Sequence, residues 1–268
     1  MNNFRNIILF RHFLGQEKKG VAKTPSIFYN KMKNNNNFSF CNVASGDYNP
    51  YSNLKSLYLV NEFITGKRIN IGGDHSMSIS TVAHSLNRYP DLKVIWFDAH
   101  ADINTRDKSI SKNLHGMPLS FLSGLDNSNE LEFIHNKLNL KNLIYVGIRD
   151  IDNYEKEILE KNEIKVISVN EFNNNILKSE RILKKFVKNS PFHLSFDVDS
   201  IDPAYIPCTG TPVNNGLIPK QVKPILNNLL RMQNCYNVDI TELNVSEDTF
   251  TDNDIKKSLE TINNILDI

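Results

Sequence analysis

A chain of 268 residues, 40% hydrophobic and 23% charged, is long enough to bury the core of one large α/β domain and has the composition of an ordinary soluble globular protein. Its 31 basic and 30 acidic side chains leave a formal net charge of +1, which excludes a general electrostatic attraction to nucleic acid or acidic membrane. No apolar run approaches the roughly eighteen residues of a membrane span, and the stretch from Met1 to Asn6 does not read as a signal peptide. Cys41, Cys208 and Cys235 are odd in number and widely spaced, so free thiols in a reducing, cytoplasmic compartment are expected.

Taken in order, the chain opens with a strand at 6–10 and a polar loop, and Thr24-Pro25 reads as the start of a helix running towards Lys33. The four asparagines at 34–37 read as a loop enlargement. A helix is predicted over 53–65, then a strand at 68–71 that ends in Gly72-Gly73-Asp74-His75-Ser76, then a helix over 76–87. The strand at 92–97 follows, with a long polar loop over 102–117, a length that is usually functional. Beyond it come a strand at 142–146, a helix over 153–161, a strand at 165–169, a helix over 179–188 and a strand at 192–196. The last pass is a helix over 219–231, a strand at 236–241 and a closing helix over 251–266. Strands alternating with helices predict one single-domain α/β fold over 1–268, a mostly parallel sheet with helices on both faces. Ligands in such sheets bind beyond the carboxyl ends of the strands.

The candidate chemistry falls at those ends. Asp98-Ala99-His100-Ala101-Asp102 follows the apolar run Val94 to Phe97, and if the chain stays extended there Asp98, His100 and Asp102 project to one side. Asp197-Val198-Asp199 repeats the spacing after a second apolar run, and His75 is presented after two glycines expected to permit a tight turn. Singly, each motif reads more readily as a polar turn or a helix cap than as a ligand set. Together they offer two histidines and four aspartates, an oxygen-rich set that suits Mn²⁺ better than a thiolate-loving zinc site and is large enough for two ions about 3.5–4 Å apart. His12, His84, His135 and His193 have no ligand-like context and read as surface or core residues, and Cys208 reads as a small loop residue.

Gly-Gly-Asp-His-Ser at 72–76, Asp-Ala-His-Ala-Asp at 98–102 and Ser-Phe-Asp-Val-Asp-Ser-Ile-Asp-Pro at 195–203 together resemble the ureohydrolase family, and within it the arginases, over nearly the whole chain. The resemblance implies a three-layer α/β/α fold of the arginase/deacetylase kind. It implies two Mn²⁺ ions, one held by His75, Asp98, Asp102 and Asp197, the other by His100, Asp98, Asp197 and Asp199. The implied reaction is hydrolysis of L-arginine to L-ornithine and urea, by attack of a metal-bridging hydroxide on the guanidinium carbon. Asp102 would accept a hydrogen bond from that hydroxide, His115 would shuttle a proton to the leaving amine, and Glu242 would pair with the guanidinium, near Thr211.

Substrate choice rests on the other end of the ligand. Asn104, Ser109 and Ser111 match the polar positions with which arginases read the α-carboxylate, and the interval from Asp98 to His115 fits the arginase loop without a gap. Asp150 and Asp152 match acids that receive the α-amino group. L-Arginine is therefore favoured, with agmatine or another guanidino compound as the alternative, and a homo-trimer or hexamer is the assembly the family implies. A metal-free binding relative would have lost ligands that are all present here, and a zinc deacetylase of related fold would use fewer. The chain departs from the family pattern in carrying Val245 where a proline usually follows the Glu-x-Asn motif. It also has Lys19-Gly20 in place of a glycine pair, and is shorter than the family norm.

Overall fold

The structure is a computed structural model describing residues 6–267; Met1 to Arg5, on which the reading of the start partly rests, and Ile268 lie outside the described residues. Strand β1 (Asn6–Phe10) leads through a loop to α1 (Thr24–Met32), edge strand β2 (Ser39–Val43) and α2 (Pro50–Phe63). Strand β3 (Arg68–Gly72), α3 (Ser78–Arg88), β4 (Lys93–Phe97) and the short α4 (Pro118–Ser123) follow. Next come β5 (Leu143–Val146), α5 (Asn153–Lys161), β6 (Lys165–Ile167), α6 (Val169–Asn174) and α7 (Ile176–Val187). The chain closes with β7 (Phe192–Asp197), α8 (Pro219–Arg231), β8 (Cys235–Thr241) and α9 (Asp252–Leu266).

Among the described residues eight strands form one sheet in the order β2-β1-β3-β8-β7-β4-β5-β6, and every pairing of these strands is parallel. Strands β1, β4 and β5 read as nearly continuous apolar runs because both faces are covered, while β3, β7 and β8 carry buried polar residues such as Asn70, His193 and Asp239. Alternate residues serve opposite faces. Ile7, Leu9, Ile71, Ile95 and Phe97 pack towards α1, α7, α8 and α9, through Phe28, Leu183, Ile225 and Ile262. Ile8, Phe10, Val94, Trp96 and Tyr145 pack towards α2, α3, α4 and α5, through Leu54, Val82, Phe121 and Ile158. This is the three-layer α/β/α architecture expected of the sequence.

Local signals set most boundaries. Asn49 caps α2 by accepting from the Tyr51 N–H at 2.9 Å, with Pro50 at the first helical position. Thr251 and Asp254 form a reciprocal capping box at the start of α9. The sequence reading misses β2, α4 and α6, starts α2 and α7 three residues late and carries the 165–169 strand two residues too far. Strand β2 escapes because it pairs with β1 alone and buries only Val43, so Ser39-Phe40-Cys41-Asn42 needs no apolar pattern. At 168–169 the Ser168 hydroxyl accepts from the Glu171 N–H and turns the chain into α6. Cys41, Cys208 and Cys235 are unpaired. Among the described residues no helix is long and apolar enough to cross a membrane.

Candidate metal centre and substrate pocket

Four neighbouring strands at the middle of the sheet, β3, β8, β7 and β4, end side by side, so the segments that leave them meet at one edge. His75 follows β3, Asp98 follows β4, Asp197 ends β7 and Glu242 follows β8.

The expectation that Asp98, His100 and Asp102 share a side through strand alternation is not met. Strand β4 stops at Phe97, and the Asp98 carboxylate accepts from the His100 N–H at 2.7 Å, which curls the chain into a turn. Asp102 then takes a left-handed backbone, φ 52°. The same device recurs on β7, where Asp197 Oδ1 accepts from the Asp199 N–H at 2.8 Å. In both cases one carboxylate oxygen holds the turn and the other faces the centre. Cap and ligand geometry are therefore one arrangement here.

The two glycines before His75 also act otherwise than expected. Neither has a positive φ; instead a Cβ on Gly72 would lie 1.7 Å from Met77 Sδ, and one on Gly73 would lie 1.6 Å from the His12 carbonyl oxygen. They provide room, letting the Asp74 N–H reach the His12 carbonyl at 3.1 Å.

His75 is buried, stacked on Trp96 at 4.1 Å, with Nε2 2.7 Å from Ser195 Oγ. Its Nδ1 has no hydrogen-bond partner, yet one oxygen each of Asp98, Asp102 and Asp197 lies 3.0 Å away. On the other side His100 Nδ1 is 3.0 Å from Asp199 and 3.5 Å from Asp98. Two groups with metal-ligand spacing result, His75–Asp98–Asp102 and Asp98–His100–Asp199, with Asp98 common to both. An imidazole nitrogen free of hydrogen bonds and surrounded by carboxylate oxygens is the donor set of a hard or borderline cation.

The electrostatics agree. Burial would push the His75 imidazole towards neutrality, but Asp102, Asp197 and Asp98 outweigh it and raise its pKa. His100 is likewise raised, against burial, by Asp199 and Asp98. Asp102 is pushed up to about 7 by burial and by the charge of Asp98, and Asp197 is raised by burial, Asp199 and Asp98. Carboxylates this crowded resist ionising together unless a cation compensates them.

The pocket beside this centre encloses about 150 Å³. Glu242 sits at its inner end, nearly sealed from solvent and again left-handed, φ 66°. One oxygen accepts from the His75 N–H at 2.7 Å, the other from Gln16 Nε2 at 2.5 Å, and His115 Nδ1 is 3.3 Å away. Burial favours a neutral His115, but Glu242 and Asp102 prevail and raise its pKa to about 9. Thr211 lines the same pocket and donates to Asp199 Oδ2 at 3.3 Å.

At the outer end the predicted residues also converge. Asn104 Nδ2 donates to Asp152 Oδ2 at 2.8 Å, Ser109 and Ser111 lie 3.5 Å apart, and Asp150 is 3.9 Å from His100 Nε2. Three lining or bracing residues were absent from the sequence reading. Glu155 accepts from the Ile103 and Asp152 N–H groups and is pushed up to about 7 by burial; in the sequence it is only the last residue of an Asp-x-x-Glu helix start. Gln16 lies in an unpatterned loop and carries no sequence signal. Arg149 braces the pocket wall, its guanidinium donating to the carbonyls of Asp199, Ser200 and Val213. The four histidines set aside by the sequence stay outside the centre: His12, His84 and His193 are core residues and His135 is exposed. Cys208 is buried beside Ser258, away from any nucleophile partner.

Comparison with known proteins gives a consistent result. A sequence model described as the arginase family matches residues 31–259. The arginase of Neurospora crassa is 40% identical over 188 residues, covering 66% of this chain and 52% of that protein. The arginase of Saccharomyces cerevisiae is 36% identical over 205 residues, covering 72% and 60%. The alignments thus span about half to three fifths of the length of these curated relatives. A crystal structure of Entamoeba histolytica arginase in complex with L-ornithine superposes with a TM-score of 0.87 at 27% identity, over 99% of both chains.

Proposed function

Because the chain belongs to the arginase family, we propose that it is a single ureohydrolase domain that hydrolyses L-arginine to L-ornithine and urea with two Mn²⁺ ions. The observation that carries this reading is the Glu242 carboxylate, fixed at the inner end of the pocket and opening towards the six-ligand centre. His75, Asp98, Asp102 and Asp197 would hold one ion and His100, Asp98, Asp197 and Asp199 the other. When bound, the two cations would supply a hydroxide nucleophile near neutral pH.

The chain's own residues do the rest. A carboxylate has about four acceptor positions, and Glu242 keeps some free for the two parallel N–H groups of a guanidinium, which orients the carbon towards the centre. Asp102 accepts a hydrogen bond from the attacking group and so sets its direction. His115, protonated at neutral pH by virtue of Glu242, gives its proton to the leaving amine nitrogen as the C–N bond breaks. Thr211 steadies Asp199. At the outer end, Asn104, Ser109 and Ser111 offer donors to the α-carboxylate, while Asp150 and Asp152, joined by Glu155, receive the α-ammonium. We expect a homo-trimer or hexamer, which sedimentation would establish.

The deciding experiment is urea release by Mn²⁺-loaded protein from L-arginine and, in parallel, agmatine, with a chelated control. Urea from arginine alone, lost on chelation, is the expected result. Urea from agmatine instead would overturn the roles of Asn104, Ser109 and Ser111, and no urea from either with two metals bound would overturn the proposal.

A further inference from the structure

The amino ends of the strands, at the opposite edge of the sheet from the metal centre, carry a second concave site with a different chemistry. Lys93 and Lys165 are the first residues of β4 and β6, and Lys141 lies two residues before β5. Lys185 and Lys188 stand at the end of α7. All five line one cleft of about 470 Å³, together with Phe186 and Ser190. Among the described residues none of the five forms an ion pair with a carboxylate, whereas Lys55, Lys108, Lys178, Lys184, Lys223 and Lys256 each do. Half-buried Lys93 and exposed Lys165 both place their ammonium groups over the Phe186 ring, 5.3 and 5.7 Å from its centroid. Lys93 also donates to Asn142 Oδ1 at 2.5 Å, which ties it to the segment carrying Lys141.

A favourable helix end accounts for Lys185 and Lys188, since cations suit a helix carboxyl terminus. It does not account for three further lysines delivered from separate strands to the same space. Folding brings five like charges together in a molecule whose net charge is only +1, and the Phe186 quadrupole offsets only two of them. Burial and Lys165 together lower the Lys93 pKa against the opposing charge of Asp91, consistent with crowding that an anion would relieve. Ammonium groups on flexible stems are point-charge binders of phosphate, free of the geometric demand of a guanidinium fork.

We infer that this cleft binds the phosphate chain of a polyphosphorylated small molecule, a nucleoside triphosphate or inorganic tripolyphosphate. The concavity is of small-ligand size, and the neutral overall charge disfavours a long nucleic acid or a membrane sheet. The site lies a full strand length, on the order of 16 Å, from the metal ligands. Occupancy therefore does not require contact with the other substrate, and the inference is independent of the hydrolytic reading.

The test is equilibrium dialysis of ATP, tripolyphosphate, AMP and orthophosphate against metal-loaded protein with manganese kept saturating. The same measurement is made on the triple variant Lys141→Glu, Lys165→Glu, Lys185→Glu, with its melting temperature as the folding control. ATP and tripolyphosphate should bind saturably, AMP and orthophosphate roughly tenfold more weakly, and the variant should lose roughly tenfold or more in affinity for the first two. Tighter ATP than tripolyphosphate binding would identify a nucleotide; equal binding would identify the phosphate chain alone. Should the triple variant fail to fold, the pair Lys141→Ala and Lys165→Ala provides the same comparison with a smaller expected loss. Equal binding by protein and folded variant would assign the anion to the metal centre and overturn the inference. So would the absence of saturable binding, or a preference of the cleft for single-stranded RNA or phosphatidylserine vesicles over ATP.

Discussion

At the scale of single residues the pocket is set by backbone positions that few side chains accept. Asp102 and Glu242 are both left-handed, conformations that cost non-glycine residues energy and persist where surrounding contacts hold them. Leu119 N–H donates to the Asp102 carbonyl at 3.0 Å, and the Glu242 N–H donates to the Gly73 carbonyl at 2.9 Å. The consequence for His115 can be measured. In the metal-free protein its imidazole should stay protonated through neutral pH and titrate near 9, seen by imidazole ¹⁵N shifts; Glu242→Gln should bring it down towards its ordinary value. Because its folded pKa is raised, the His115 contribution to stability is complete below the unfolded value near 6.5 and disappears as pH rises through about 9. A wild-type value at or below 6.5 would remove His115 as a proton donor held ready by Glu242. The proposed ligand aspartates and histidines were legible in the sequence because two motifs repeat a two-residue spacing after apolar runs and His75 follows a glycine pair at a third strand end. Glu155 and Gln16 were not, since a capping glutamate and a loop glutamine look the same whether or not a pocket lies beside them.

At the scale of elements, the inner strands were legible because a sheet covered on both faces demands apolar or alternating apolar runs, a demand that edge strand β2 escapes. The turns were not, because Asp98 and Asp197 hold them through contacts with their own backbone that an extended reading overlooks. The link between β1 and β3 depends on Gly73, whose missing side chain lets the chain pass against the His12 carbonyl. Gly73→Ala should therefore destabilise the protein by about 1–3 kcal/mol and weaken manganese binding through displaced His75, as calorimetry would record. Gly46→Ala, at a glycine with open space around it, should change stability by no more than about 0.5 kcal/mol. Equal effects of the two substitutions would show that close approach is not what fixes the glycine at 73.

At the scale of the whole molecule, the fold holds together a centre that repels itself. Asp102 and Glu155 are both raised to about 7, and the raised pKa values of His75 and His100 act in the same sense. Stability conferred by a raised pKa is complete below the unfolded value and is lost as pH rises through the folded one. In the metal-free protein the Asp102 and Glu155 contributions should thus be lost as pH climbs from about 4 to 7, by up to about 1.4 kcal/mol per pH unit each. Those of His75 and His100 should be lost only above about 6.5, against an opposing gain from buried His12 and His84, whose pKa values are lowered. Saturating manganese should reverse the trend, because protons then compete with the ion for the same oxygens. Melting temperatures across that range, with and without metal, provide the check; parallel curves would mean that the six residues bind no ion.

The order of the strands has one more consequence, in time rather than space. Among the described residues β8 is the last strand in sequence, yet it lies between β3 and β7. Until it is inserted, β2-β1-β3 and β7-β4-β5-β6 are two unconnected half-sheets, with His75 at the end of one and Asp98, His100, Asp197 and Asp199 on the other. A chain lacking residues from 235 onward would own every proposed metal ligand, yet His75 would not be joined to the others. The proposed ion that uses His75 therefore depends on β8 being in place, whereas the ligands of the other already share the β7-β4 half.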